Sequence, residues 1–438
     1  MVAVVVCASL AWLAPDFASL SQDLDPLVYQ NIAMRLMQGE GGFWMLPYFE
    51  SNVVRFTDHP PLGIFTVSLW YSMFGSGLLA TKLLIITILS AVMLAQRDLA
   101  RLTGIPVWTS MLLFVVMPLT LATLTELYLE GMLTLTTLLA VAACWRAQQN
   151  RLWSILFGLM VYVGFLIKGP VALFALAAPL GLWWYQGRFL QPLVIAGIAL
   201  AIALVLFVLT LISFPDAQVH FSFYLENQVL ASVLGERTIQ NNRLDQLGEW
   251  SKQVAIAGLV LAALAKTVTF PKVARFWLIL SLSGSLPLLI SSRHYSHYLL
   301  PALPFLALTL ASCIQPRTLP SHYRLPAIGL LGVVAIMLFV TNLGGNGRHD
   351  RDLAAVEVIE TVVPMSEPIA FCPEDRSLHI RAFLAAYRGR DLHHVTNAEA
   401  ANMWLICTHP LGRRDFNVPM KKGIRIWAPS PELVNEHL

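Results

Sequence analysis

Apolar stretches long enough, or nearly so, to cross a lipid bilayer return about eleven times between residues 3 and 343, with few charges inside them. They fall at 3–17, 79–95, 105–125, 131–145, 152–167, 171–186, 191–213, 254–268, 273–291, 298–313 and 326–343. In hydrocarbon each backbone N–H and C=O must find its partner within the segment, so such runs become helices. The 438 residues are 57% hydrophobic and 13% charged, against roughly 25% charge in soluble domains. The net charge of +3 comes from basic residues scattered between apolar runs, which leaves no patch for nucleic acid. Val2 to Leu13 lacks a basic leader and a small-residue cleavage site, and reads as a first span. Cys7, Cys144 and Cys313 lie in apolar runs as small core residues.

The segment 61–77 is shorter, aromatic-rich and follows Pro60-Pro61, so it is either a span or a helix lying in the interface. Charge asymmetry favours the interface. Arg97, Arg101, Arg146, Arg151, Arg188, Lys266, Lys272, Arg275, Arg317 and Arg324 then share one side, which the positive-inside rule makes cytoplasmic. The expected fold is an all-α polytopic membrane protein with about 11 transmembrane helices plus interfacial helices. Its N-terminus lies inside and its C-terminus outside. Residues 1–343 form this transmembrane domain. After the Gly344-Gly345-Asn346-Gly347 linker, residues 344–438 become polar enough for a small extracytoplasmic α/β domain. A helix is expected over Asp350 to Val363, and short strands in EPIAFC, MWLICT and GIRIWAP.

This threading collects Asp25, Asp58, His59, Glu126, Glu130, Lys168, Glu226, Glu236, Arg237, Arg293, His294 and His297 on the outer face. Charge at membrane depth is costly and tends to mark function. Each position also has a plain structural reading. Asp25-Pro26 opens an amphipathic helix along the outer surface, with Asp25 as its N-cap or as a general base. Asp58-His59 before Pro60-Pro61 is a solvated turn or part of a site. Glu130, four residues after Glu126, is a solvated loop acid or a ligand-facing one. Lys168 before Gly169-Pro170 marks a tight break between helices; it snorkels, or it meets an anion. Arg293, His294 and His297 exceed what an aromatic belt needs and suit a phosphate, and no third ligand makes the histidines a metal site. The outer loop 214–252, with Glu226, Asn227 and Gln228, is a lid or acceptor-binding element, or an inert loop.

Five of these motifs, in order, resemble the polyprenyl-phosphate-sugar-dependent glycosyltransferases of the C-type (GT-C) superfamily. The branch is family 39, the protein O-mannosyltransferases, lipid A aminoarabinose transferases and their bacterial RgtA/B/C/D-like members. The matching residues are Asp25 with Tyr29 and Ala33, Asp58-His59-Pro60-Pro61-Leu62, Glu130, Phe165-Leu166-Ile167-Lys168-Gly169-Pro170, and His297-Tyr298-Leu299-Leu300-Pro301 with Pro304. The likeness covers roughly residues 1–343. It departs where Pro26 replaces a second acid, His59 a lysine, and Glu130 the commoner aspartate.

The resemblance implies an enzyme in the bacterial inner membrane, with its active site and C-terminal domain facing the periplasm. It would move a hexose or pentose from a polyprenyl (undecaprenyl) phosphate to a lipid, glycan or protein hydroxyl, with inversion. Asp25 and Asp58 are the implied catalytic residues: Asp25 by preference is the base for the acceptor hydroxyl, and Asp58, with Glu130, orients the acceptor or binds an amino group on the sugar. Tyr29, His59, Glu130, Lys168, Glu226, Arg293 and His297 are the implied binding residues, with Lys168, Arg293 and His297 stabilising the leaving phosphate. No organic cofactor is implied, and a divalent cation is left open. Competing readings are a flippase for polyprenyl-linked glycans, against which no internal repeat is visible, a non-enzymatic membrane scaffold, and an O-antigen ligase or polymerase, which the first-loop motifs disfavour. Cys372 and Cys407 each end an expected strand, and a disulfide outside the cytoplasm is possible if those strands are neighbours.

Overall fold

The computed structural model describes residues 22–48, 55–234, 243–289, 295–316, 350–371, 378–388, 390, 392–394, 403–407 and 425–427. The chain packs as two compact units. The first comprises Met1–Phe17, Thr57–Gly63 and Leu83–Thr341, and the second Ala18–Phe56, Ile64–Lys82 and Asn342–Leu438.

The protein is a helical membrane protein. Among the described residues five helical stretches are long and apolar enough, by length and composition, to cross a membrane: Leu78–Leu102, Leu129–Arg146, Trp153–Gln186 (which turns back on itself at Gly169), Leu190–Ser213 and Lys272–Leu289. A sixth is added if Val107–Val115 and Pro118–Leu124, bent by 75°, count as one span. The bend falls where Pro118 starts a new helix, since proline cannot continue the old hydrogen-bond ladder. About eleven spans are expected from the sequence; the runs 3–17 and 326–343 lie outside the described residues. The run 298–313 falls in the shorter apolar helix Ser296–Ser312. The run 254–268 differs from expectation at its end. Helix Arg243–Leu264 stops, and the strand Ala265–Val268 pairs antiparallel with Ile314–Pro316.

Two observations show how the first unit packs. Helix Leu129–Arg146 buries its threonines, because Thr134, Thr136 and Thr137 donate their hydroxyls to backbone carbonyls three or four residues back, at 2.6, 2.9 and 2.9 Å. Helices Trp153–Lys168 and Leu190–Ser213 cross so closely at Gly158 that a Cβ there would lie 2.4 Å from the Ala199 carbonyl oxygen.

In the second unit, helix Leu24–Met37 is enclosed. Every residue from Pro26 to Ala33 is buried, and helix Leu378–Arg388 packs against it. This corrects the expectation of an amphipathic helix lying on the outer surface, because the covering helix comes from the far end of the chain. The N-cap position is Asp23, so Asp25 sits inside the first turn rather than capping it. His379 ties the two helices together, one ring nitrogen 2.6 Å from the Gln22 carbonyl oxygen and the other 3.1 Å from the Asp352 carboxylate. A buried polar chain runs from Tyr71 through Thr81 (2.6 Å) to Gln30 (3.4 Å), and Gln30 also bonds Gln22 and the Pro26 carbonyl.

The unit's four-stranded sheet has the order Leu392–His394, Ile369–Phe371, Trp404–Cys407, Arg425–Trp427. The first three strands are parallel and the last antiparallel. Helix Leu378–Arg388 makes the crossover between two parallel neighbours. Leu392–His394 and this helix are absent from the sequence reading. Cys372 lies outside the described residues, and with it any pairing to Cys407. Cys144 and Cys313 are free and buried.

Candidate active site

Lys168 is the last residue of helix Trp153–Lys168, and Gly169 stops that helix with φ +76. A side chain is excluded there twice over. The left-handed φ favours glycine, and a Cβ would stand 2.0 Å from the Tyr224 hydroxyl. The chain then reverses. A Cβ on Gly164 would lie 3.1 Å from that of Ala172, whereas residues eight apart on a straight helix are about 12 Å apart. Lys168 thus occupies the closed end of a hairpin whose return arm is the 3-10 segment Gly169–Ala177.

Glu130 stands in the first turn of helix Leu129–Arg146, where the helix dipole favours an acid. Lys168 donates to its Oε1, and the two side chains are only 4% and 1% exposed. His297 Nε2 lies 3.5 Å from the same oxygen. The Lys168 ammonium also sits 4.8 Å from the centroid of the Tyr298 ring. The His297 imidazole stacks on Tyr128 at 4.5 Å and on Tyr295 at 5.4 Å. The solvated-loop reading of Glu130 and the snorkelling reading of Lys168 are therefore both overturned: each is the other's buried counter-ion. Glu130 Oε2 meets no hydrogen-bond donor among the described residues.

The Asp58-His59 turn is held against the same elements. Pro60 and Pro61 lead into helix Leu62–Phe74, and a Cβ on Gly63 would touch the side chains of Leu129 at 2.7 Å and Ile167 at 3.3 Å. Those are the chain neighbours of Glu130 and Lys168. Helix Pro215–Tyr224 and the π turn Leu225–Leu230 lie alongside. A His220 ring nitrogen lies 3.1 Å from the His59 carbonyl oxygen. The Tyr224 hydroxyl lies 3.5 Å from the Lys168 carbonyl oxygen, and the Gln228 amide donates to the exposed Asp58 carboxylate. Burial, and then the negative charge of Asp58, push the Tyr224 phenol above its ordinary range.

The structure so gathers Asp58, Glu130, Lys168 and His297 in one unit, with His59 joining through its backbone. Glu226 is exposed on the π turn, and Gln228, two residues on, is the side chain that reaches Asp58. Arg293 lies outside the described residues. Asp25 and Tyr29 belong to the second unit. Asp25 is half-buried in the first turn of Leu24–Met37, and Tyr29, one turn later and buried, packs edge-on to Phe56 at 6.4 Å. Tyr224 and His220 are absent from the sequence reading of the site, and Gln228 enters it only as part of the outer loop 214–252. The i, i+4 spacing of Tyr224 and Gln228 was the available signal, and neutral side chains do not announce themselves as charges do. Among the described residues no group of three or more His, Cys, Asp or Glu is placed to hold a metal ion.

No family model matches the sequence, and no curated protein matches it significantly. Solved structures do. ArnT from Cupriavidus metallidurans bound to undecaprenyl phosphate superposes with a TM-score of 0.65 at 15% identity, covering 91% of this chain and 86% of that one. The apo state of the same protein gives 0.61 at 15% identity, covering 93% and 92%. Archaeal oligosaccharyltransferase AglB from Archaeoglobus fulgidus, in complex with an inhibitory peptide and a dolichol-phosphate, gives only 0.46 at 10% identity over 93% and 69%, too low to argue from. The chain has the ArnT fold.

Proposed function

We propose that the protein is a membrane glycosyltransferase. It moves a sugar from a polyprenyl (undecaprenyl) phosphate to a lipid, glycan or protein hydroxyl on the outer face of the bacterial inner membrane. The observation that carries this reading is the buried Glu130–Lys168–His297 cluster at a helix reversal, in a fold shared with ArnT, which was solved bound to undecaprenyl phosphate. Buried charge in a membrane protein is retained where a ligand uses it.

In this reading a carboxylate, Asp25 by preference and Asp58 as the second, takes the proton of the acceptor hydroxyl. The acceptor oxygen attacks the anomeric carbon, and the bond from that carbon to the phosphate oxygen breaks. The lipid phosphate leaves with the electron pair, so the site must stabilise an anion rather than supply a proton. Lys168, His297 and Arg293 are assigned to that task. Glu130 holds the Lys168 ammonium in place until the donor phosphate shares it. Tyr29, His59 and Glu226 are assigned to substrate contacts. A single displacement inverts the anomeric configuration.

The orientation belongs to the same proposal: about 11 spans, and a small periplasmic α/β domain over 344–438. Helix Leu62–Phe74 supports placing 61–77 in the interface, since its 13 residues reach only ~20 Å against ~30 Å of hydrocarbon.

The test is transfer of labelled sugars from undecaprenyl phosphate in membranes carrying wild type, Asp25→Asn or Lys168→Met. Transfer by wild type, lost in Lys168→Met, is the expected result. Full transfer by Lys168→Met would sink the leaving-group assignment, and full transfer by Asp25→Asn the base assignment. A wild type that turns over no lipid-linked sugar but carries such lipids across vesicles is a flippase.

A further inference from the structure

We infer that Gln228 and Tyr224 are positioning residues that set the Asp58 carboxylate and the Lys168 turn for reaction. The inference rests on the glycosyltransferase reading and deepens it. One element reaches two motifs that lie far apart in sequence. From helix Pro215–Tyr224 and its π turn, His220 meets the His59 carbonyl, Tyr224 meets the Lys168 carbonyl and fills the space over Gly169, and Gln228 donates to Asp58.

The π turn explains how one face makes all three contacts. His220, Tyr224 and Gln228 are spaced by four residues, and in a continuous α-helix each such step overshoots a full turn by about 40°. Gln228 would then point about 80° away from His220. The wider π turn over Leu225–Leu230 offsets part of that rotation.

The chemistry of the two side chains fits the role. Asp58 is exposed, and the Gln228 amide is one of the groups that hold its carboxylate. The Gln228 amide donates to it without bringing a positive charge, which leaves the carboxylate an acceptor for a substrate hydroxyl. A lysine or arginine there would neutralise it. Tyr224 is buried and stays a neutral phenol beside Asp58. It can brace the Lys168–Gly169 turn without competing for the ammonium.

The experiment uses the full chain in lipid nanodiscs and a labelled undecaprenyl-phosphate sugar as donor. Gln228→Glu places a second carboxylate against Asp58 and should lower kcat at least as far as Gln228→Ala does. Gln228→Ala and Tyr224→Phe should each lower kcat about tenfold with KM little changed and the melting temperature kept. Should Gln228→Glu not fold, Gln228→Ala and Tyr224→Phe decide alone. Wild-type kcat in both overturns the inference while leaving the glycosyltransferase reading intact. A wild type inactive on every lipid-linked sugar overturns that reading and this inference with it.

Discussion

Lys168 closes one helix and Glu130 opens another, and their side chains form an ion pair almost entirely removed from solvent. Removing one partner strands the other charge. Glu130→Gln or Lys168→Met alone should therefore cost about 3–5 kcal/mol of stability. The double variant Glu130→Gln/Lys168→Met leaves no orphan charge and should recover much of that loss. Transfer activity should be absent from all three. Thermal unfolding in detergent, run beside the transfer assay, separates the two effects. Recovery of activity together with stability in the double variant would make the pair structural only.

Gly169 offers a sharper local test. Alanine there must adopt a left-handed φ and place its Cβ against the Tyr224 hydroxyl. The backbone penalty alone is about 1–3 kcal/mol. Gly169→Ala should lower the melting temperature by several degrees. Adding Tyr224→Phe should relieve part of the clash and leave the backbone penalty. A variant that melts like wild type would mean that the turn can relax without cost.

The Lys168 motif was legible because a single ammonium followed by Gly-Pro interrupts two apolar runs, and the polar loops betrayed Asp58 and Glu130. What stayed hidden depends on contacts made far along the chain. Gln228 reaches Asp58 across 170 residues and Tyr224 reaches Lys168 across 56, and neither side chain is charged. The first-loop helix showed helical spacing from Tyr29 onward, yet its burial is set by helix Leu378–Arg388, joined to it by a hydrogen bond spanning 357 positions. Periodicity reports which face is apolar, not what will cover the other face. The run 254–268 reads as one apolar helix, but the β-branched Thr267 and Val268 pair with Gln315 and Ile314 instead.

His379 is the point at which that second-unit packing can be tested. Its two ring nitrogens face two acceptors, the Gln22 carbonyl and the Asp352 carboxylate. His379→Ala removes both contacts and should cost about 1–3 kcal/mol locally. Hydrogen exchange should then accelerate across Leu24–Met37 and Leu378–Arg388 while Leu129–Arg146, in the other unit, keeps its protection. Unchanged exchange at Leu24–Met37 would mean that apolar contact alone holds the helices together.

Tyr224 gives a prediction in pH. Its phenol is held above the ordinary value of 10.0 by burial first and by the Asp58 charge second. Unfolding exposes it and returns it to that ordinary value. Above pH ~10 the unfolded chain therefore binds fewer protons than the folded one, and stability falls as pH rises. Below pH ~10 both states keep the proton and the slope from this group vanishes. Tyr71, also raised by burial, contributes a similar slope, so wild type alone cannot isolate Tyr224. The comparison is between wild type and Tyr224→Phe in chemical unfolding from about pH 8 to 11. The wild type should lose stability more steeply above pH ~10, by up to one proton's worth of slope. Asp58→Asn should retain most of the steepness, because burial is the larger cause and survives the loss of the carboxylate. Parallel slopes for wild type and Tyr224→Phe would mean that the phenol ionises as readily in the folded protein as in the unfolded chain.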